Sequence, residues 1–306
     1  RCLVGFSPYD QLAWVWLEAV VGLLDAVHPS WDAPQRPVPR PADDGGVAAM
    51  RRVLAVVDGL LEQLAIKRID GRKTGSNRPP VKAVKALGAS LGADDLLVNL
   101  ALDAMIAMGV VRPVLVTLGR RSASPTIGWA TDPEARATWA SRPAAERWTS
   151  VVQLWVAMPS LAADEVMSAT ERHLVLAELR AAPEGTGYGF TDLAAWLADR
   201  YPAIGSALDR VLPAAVALGL VGGDSSGEGV VGLTALGRAA ALGTDAVSEL
   251  VGDAEVTFTV QADHTIIAPP GLDPTLVATL GSVADLESDA GALVYRLSAT
   301  RIATAA

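Results

Sequence analysis

Asp94-Asp-Leu-Leu-Val-Asn-Leu-Ala-Leu-Asp-Ala-Met-Ile-Ala-Met-Gly-Val-Val-Arg-Pro-Val-Leu-Val-Thr-Leu118 is the stretch on which the fold turns. Its two leading carboxylates suit the positive end of a helix dipole. Apolar residues crowd through to Met108, Gly109 stops the helix, and Val110–Leu118 has the composition of a strand. Upstream, Val81 to about Leu91 reads as a helix ended by Gly92. Before it, from Gly46 on, Leu54, Val57, Leu60, Leu61 and Leu64 fall three or four apart and make one apolar helical face. Downstream, a turn around Gly119–Pro125 leads to Thr126-Ile-Gly-Trp129. Three helices followed by a two-stranded hairpin predict a winged helix.

The same order returns further on. A helical stretch bearing Trp139, Trp148 and Trp155 leads to helices at Ser168–Ala181, Phe190–Arg200 and Ala203–Leu218, the last ended by Gly219. Leu220-Val221, a turn at Gly222–Gly229 and Val230–Leu233 make a second hairpin, and Thr234 caps a helix to Leu242. Ala107-Met-Gly-Val-Val111 and Ala217-Leu-Gly-Leu-Val221 close the two third helices with similar phrases, a weak internal duplication.

The ends differ. Residues 9–27 are apolar almost all round and predict a buried helix; Pro29, Pro34, Pro37, Pro39 and Pro41 then make a loop or extended linker. Toward the other end, Val256-Thr-Phe-Thr-Val260 alternates as a strand, Thr265–Ala268 and Leu293–Leu297 are further strands, and Asp273–Leu280 is a helix opened by Asp and Pro. The expected class is therefore α+β, mostly helical, with tandem winged-helix domains followed by a small α+β module. Four segments follow: an N-terminal helix and Pro-rich linker (1–45), a first winged helix (46–135), Trp-bearing helices with a second winged helix (136–250), and the α+β module (251–306). Arg1 at the start and a helix just begun after Ser298 predict a piece of a longer chain.

Composition bounds the function. Of 306 residues 51 % are apolar and 19 % charged, the reverse of a disordered chain. The net charge of −9 excludes a wholly basic, histone-like binder. The mean hydropathy is +0.32, yet Leu12–Val27 is interrupted by Glu18 and Asp25, so no membrane span is expected. A lone Cys2 allows no disulfide framework, and a cytoplasmic or nucleoid-associated setting follows.

Patterns that invite an enzyme reading fail on context. Gly227-Glu-Gly-Val-Val-Gly232 fits a dinucleotide fingerprint, but a strand follows it where a helix N-terminus is needed, and Asp224 and Glu228 would repel phosphate. Gly88-Ala-Ser-Leu-Gly92 fits a nucleophile elbow, yet lies at the end of an amphipathic helix. Gly71-Arg-Lys-Thr-Gly-Ser76 lacks the spacing of a phosphate loop. His28, His173 and His264 are scattered, and Asp285, Glu287 and Asp289 read as a solvated helix end. No catalytic residue, metal site or cofactor is expected.

One feature survives. All four lysines, Lys67, Lys73, Lys82 and Lys85, fall within residues 67–85 together with Arg68, Arg72 and Arg78. With Asp70 the only acid there, the segment carries +6 and the remaining chain −15. Its glycines let side chains reach a phosphate backbone. Arg120 and Arg121, at the tip of the first wing, add to the same set. Two readings stand side by side: nucleic-acid contact, or a solvated and protein-docking face paired with acids such as Asp94, Asp95 and Asp103. The third helix opposes groove reading, because Asp94, Asp95, Asn99 and Asp103 are its expected outward residues.

Val260-Gln-Ala-Asp-His-Thr-Ile-Ile-Ala-Pro-Pro-Gly-Leu-Asp-Pro274, Ala284-Asp-Leu-Glu-Ser288 and Ala292-Leu-Val-Tyr-Arg-Leu-Ser298 resemble the XPB-like helicase N-terminal, or helicase-associated, domain family of actinobacteria. Thr138-Trp139, Arg147-Trp148, Leu154-Trp155 and Val231–Arg238 fit the same family, so the likeness spans about 46–298. His264 departs from it, replacing an apolar residue and making the strand more polar. The resemblance implies a winged-helix-bearing accessory region of superfamily 2 DNA helicases, with DNA and a helicase or repair protein as partners. It supplies no catalytic residue, and no ATPase motif is present. The expected function is a non-catalytic accessory region contacting nucleic-acid backbone through residues 67–85. The alternative is a winged-helix scaffold docking a helicase or repair partner without DNA affinity.

Overall fold

A computed structural model describes residues 35–70, 79–116, 126–157, 169–201, 207–223, 229–252, 256–269, 272–288 and 292–305. The expected helix at 9–27 lies outside them. Elements are labelled in chain order. The Pro-rich stretch, expected to be linker alone, ends in a short strand β1 (Arg40–Pro41) that pairs antiparallel with residues 186–187. Proline offers no N–H, so its place at a sheet edge is the one a strand allows it.

Next come α1 (Gly46–Ile66), α2 (Val81–Leu91), α3 (Asp95–Ala107), β2 (Val111–Val116) and β3 (Thr126–Thr131). The four leucines and the valine named for α1 are all buried. Gly92 ends α2 at φ 62°, and the Asp94 side chain accepts from the Leu97 N–H at 2.8 Å to cap α3. β2 and β3 pair antiparallel, and Ile69, just after α1, bridges to Trp129 in β3.

The following stretch forms α4 (Pro133–Ala140), α5 (Ala144–Ala157), α6 (Ala169–Arg180), β4 (Thr186–Gly189), α7 (Phe190–Arg200) and α8 (Ala207–Ala217). It continues through β5 (Val221–Gly222), β6 (Val230–Leu233), α9 (Ala235–Ala240) and α10 (Thr244–Val251). Its sheet runs β1-β4-β6-β5, all antiparallel. Strand pairing follows a similar order in the two stretches. In each half a segment after the first helix joins the last strand of the hairpin, Ile69 to Trp129 and Tyr188 to Val231. In each, a left-handed glycine follows the third helix, Gly109 at φ 71° and Gly219 at φ 79°.

Neither β4 nor α10 is legible in the pattern. β4 is Thr-Gly-Tyr-Gly, poor strand composition, but a Cβ at Gly187 would lie 2.1 Å from the Val231 carbonyl oxygen. Close backbone approach requires glycine there.

Buried apolar residues from Met50 to Val247 form one contiguous cluster across both halves. Trp129, Trp139, Trp148, Trp155 and Trp196 all belong to it, and the Trp148 indole donates to the Leu218 carbonyl at 2.9 Å. Arg172 is fully buried, donates to the Trp155 carbonyl and stacks 5.3 Å over its ring. Helix α3 sits at the centre, touching α1, α2, α5 and α8. This corrects the expectation of an open outer face. Asp94 and Asp95 are exposed, but Asn99 and Asp103 are half-buried because α5 and α8 cover that side.

The final segment holds β7 (Thr259–Val260), β8 (Thr265–Ala268), α11 (Pro274–Val283), β9 (Ala284–Ser288), β10 (Leu293–Leu297) and α12 (Ala299–Ala305). Its antiparallel sheet runs β7-β8-β10-β9 over a separate small core of Ile266, Ala268, Leu272, Leu280, Ala284 and Tyr295. Two expectations are corrected. Asp285 and Glu287 lie on strand β9, where they pair with Arg301 and Arg296 at 2.6 Å each, and not at a helix end; Asp289 is outside the described residues. His264 is not in a strand: it occupies the left-handed position, φ 69°, of the turn joining β7 to β8.

The chain is thus mixed α+β and mostly helical, with small antiparallel sheets. Among the described residues no helix is long and apolar enough to cross a membrane.

Candidate nucleic-acid interface

The basic segment begins where α1 ends. Unpaired carbonyls at a helix C-terminus favour cations, and Lys67 and Arg68 follow directly. Arg68 is partly neutralised, its Nε donating to Asp70 at 3.0 Å with both side chains half exposed. Lys67, and Lys82 and Lys85 on α2, are exposed with no ion-pair partner among the described residues. Arg72, Lys73, Arg78, Arg120 and Arg121 lie outside the described residues.

A cleft of about 570 Å³ opens at this point, between the last turn of α1 and the β3–α4 corner. Lys67 and Arg68 line one side, Thr131, Pro133 and Arg136 the other. Arg136 is fixed by the start of α4, where Asp132 caps the helix by accepting from the Ala135 N–H at 2.9 Å. The sequence gives no sign of its role. It stands among alanines far from the lysines, and only the antiparallel return of β3 carries it to the end of α1. Burial pushes the Glu62 carboxyl up from its ordinary value, while the Arg136 charge pulls it back. The cleft rim also carries Ile66, an apolar side chain 88 % exposed.

A second cleft, about 490 Å³, lies along α4 and is lined by Arg112, Asp132, Glu134, Thr138, Trp139 and Arg142. Here the charges cancel: Arg112 pairs with Asp132 at 2.9 Å and also donates to the Gly109 carbonyl at 2.9 Å. It offers a polyanion less than the first cleft does.

Ser90, in the elbow-like sequence, sits in the last turn of α2 and donates to the Leu87 carbonyl at 2.8 Å and to Gln63 at 2.9 Å. No strand-to-helix turn exposes it, so the geometry that activates such a serine is missing. In the dinucleotide-like sequence, Gly232 lies in β6 pressed against Thr186 and Gly187, a strand-pairing glycine. His173 is in α6, its Nδ1 2.8 Å from the Ala169 carbonyl. Among the described residues no three His, Cys, Asp or Glu side chains gather as a metal site.

No protein-family model matches the chain, and no curated protein matches it.

Proposed function

We propose that the chain is a non-catalytic, DNA-associated accessory region that contacts nucleic-acid backbone at the end of α1. The observation that carries this reading is the meeting of Lys67 and Arg68 with the distant Arg136 across one cleft. Lys82 and Lys85, without an ion-pair partner among the described residues, add positive charge on the next helix. Helix–strand–helix–helix–hairpin order in both halves supports tandem winged helices, with Ile69 and β4 as the short first strands. Because α3 is enclosed by four other helices, base reading by that helix is disfavoured, and sequence-tolerant backbone contact fits better. The likeness of residues 260–298 to the XPB-like helicase-associated family agrees with a helicase or repair partner.

Fluorescence anisotropy with duplex, forked and single-stranded DNA at two salt concentrations tests it. Binding at low salt that weakens steeply with salt is expected. Unchanged binding after Lys67→Glu, Lys82→Glu and Lys85→Glu, or none at low salt, rejects it. The enclosure of α3 favours a second reading, a scaffold docking a protein partner, and retention of a partner by a chain that binds no DNA would select it.

A further inference from the structure

Glu178 in α6 is nearly buried, yet its carboxylate takes two hydrogen bonds. One comes from Arg36 Nη2 at 2.6 Å and one from the Tyr201 hydroxyl at 2.9 Å. The Arg36 guanidinium also lies 5.1 Å over the Trp196 ring, which meets Tyr201 edge-on at 6.4 Å. A nearly buried carboxylate with an aromatic face beside it suits a planar guanidinium, by charge-assisted hydrogen bonding and cation–π attraction together. Arg200 does not compete for the carboxylate. It stacks on Trp196 at 5.8 Å and its Nε donates to the Tyr201 hydroxyl at 3.1 Å, which frees that hydroxyl's proton for Glu178.

What fills this receptor is a surface strap. Arg36-Pro-Val-Pro-Arg-Pro41 is extended, Val38 is largely exposed, and no strap side chain enters either core. Its prolines contribute no N–H to the sheet. Apart from the short β1–β4 pairing, it is held by Ala42 donating to the Gly185 carbonyl at 3.1 Å and by an exposed Arg40–Asp192 pair at 3.0 Å. Arg36 is thus the anchor at the near end of the strap and residues 40–42 hold the far end, while the receptor itself is built from α6, α7 and Tyr201, the residue that follows α7.

We propose that Glu178, Trp196 and Tyr201 form a guanidinium receptor that Arg36 plugs in cis, and that an extended Arg-Pro-x-Pro-Arg segment of a partner protein enters when the strap lifts. The carboxylates of Glu178 and Asp192 match two arginines four residues apart on an extended chain, as Arg36 and Arg40 show. Tethering gives the strap a millimolar effective concentration, so a partner competes poorly until the strap is weakened.

The test uses the full chain carrying Arg36→Ala, with folding verified by circular dichroism, and a fluorescein-labelled peptide of residues 35–43. The variant is expected to bind the peptide about tenfold or more tightly than the native chain does, because the competing plug is gone. Glu178→Gln in the same background abolishes capture, and a peptide with Lys in place of its first Arg binds several-fold more weakly. That last comparison leaves the protein untouched, so misfolding cannot mimic it. Absent binding, equal binding to the native chain, or indifference to the Arg-to-Lys change overturns the proposal. Sedimentation of the native chain as a dimer that Arg36→Ala dissolves would assign the receptor to a second copy's strap and also overturn it.

Discussion

Arg147 Nη1 reaches both carboxylate oxygens of Asp58, at 2.9 and 3.0 Å, across 89 residues of chain. The Trp139 indole donates to the same carboxylate at 3.3 Å, and the Arg147 guanidinium lies 5.8 Å over its ring. Asp58 belongs to α1, Trp139 to α4 and Arg147 to α5, so one cluster pins three elements of the shared core. Burial pushes the Asp58 carboxyl up, and the Arg147 charge and hydrogen bonds pull it back. Removing one partner strands the other in the interior. Asp58→Leu or Arg147→Met alone is expected to cost about 3–5 kcal/mol, and the double variant Asp58→Leu/Arg147→Met far less than the sum. Urea denaturation of the four chains measures this; additive losses would show that the pair does not act as a unit.

Arg136 tests the interface reading more sharply than the lysines do, because no other basic residue lies within five positions of it in the chain. If Lys67 and Arg136 each neutralise one phosphate, Lys67→Ala and Arg136→Ala should each flatten the slope of log affinity against log salt by about 0.9 on duplex DNA. A change in affinity with the slope intact would mean that they act through folding.

At the start of α9, the Thr234 hydroxyl accepts from the Gly237 N–H at 2.8 Å and donates to the Gly219 carbonyl at 2.7 Å. Thr234→Val should cost about 1–2 kcal/mol, through the lost cap and an unsatisfied buried carbonyl. Gly237→Ala should cost more, since its Cβ would fall 2.1 Å from the Leu220 carbonyl oxygen, a backbone atom that cannot swing aside. Thermal unfolding in the order native, Thr234→Val, Gly237→Ala checks the ranking.

The turn before β8 makes a pH prediction. Asp263 is held below the usual carboxylate range chiefly by the Thr265 backbone N–H, which donates to it at 3.0 Å, with the Arg296 charge assisting. A depressed carboxyl stabilises the fold above its unfolded value, and that contribution vanishes as pH falls through the folded one. The stability gap between the native chain and Asp263→Ala should therefore narrow on acidification, read by denaturation at neutral pH and through the carboxylate range.

The neighbouring His264, at φ 69°, pays a left-handed penalty that glycine avoids. His264→Gly should raise stability by about 0.5–1 kcal/mol, and His264→Val should lower it.

What can be read without coordinates here is what depends on neighbours a few residues away. The apolar spacing of α1, the Gly92, Gly109 and Gly219 stops, the Asp94 and Thr234 caps and the strand composition of Leu293–Leu297 are each local, and each is found in place, whereas the alternation at Val256–Val260 yields only the short strand Thr259–Val260. The acidic run at Asp285 misled because a charged edge strand, paired outward to Arg296 and Arg301, has the same composition as a solvated helix end. Of the candidate basic residues, the sequence supplied the cluster around Lys67 but not Arg136, which comes to it through the β2–β3 hairpin.

The sequence by itself determined most of the helices, several of their ends, the order of helices and hairpins and the place of the positive charge, because period, capping and composition are written within one or two turns. Tertiary structure alone decided that α3 is enclosed, that Arg147 meets Asp58, that Arg136 faces Lys67, and that Arg36 reaches Glu178. Each of these is a contact between residues far apart in the chain, fixed by which surfaces had to leave water together.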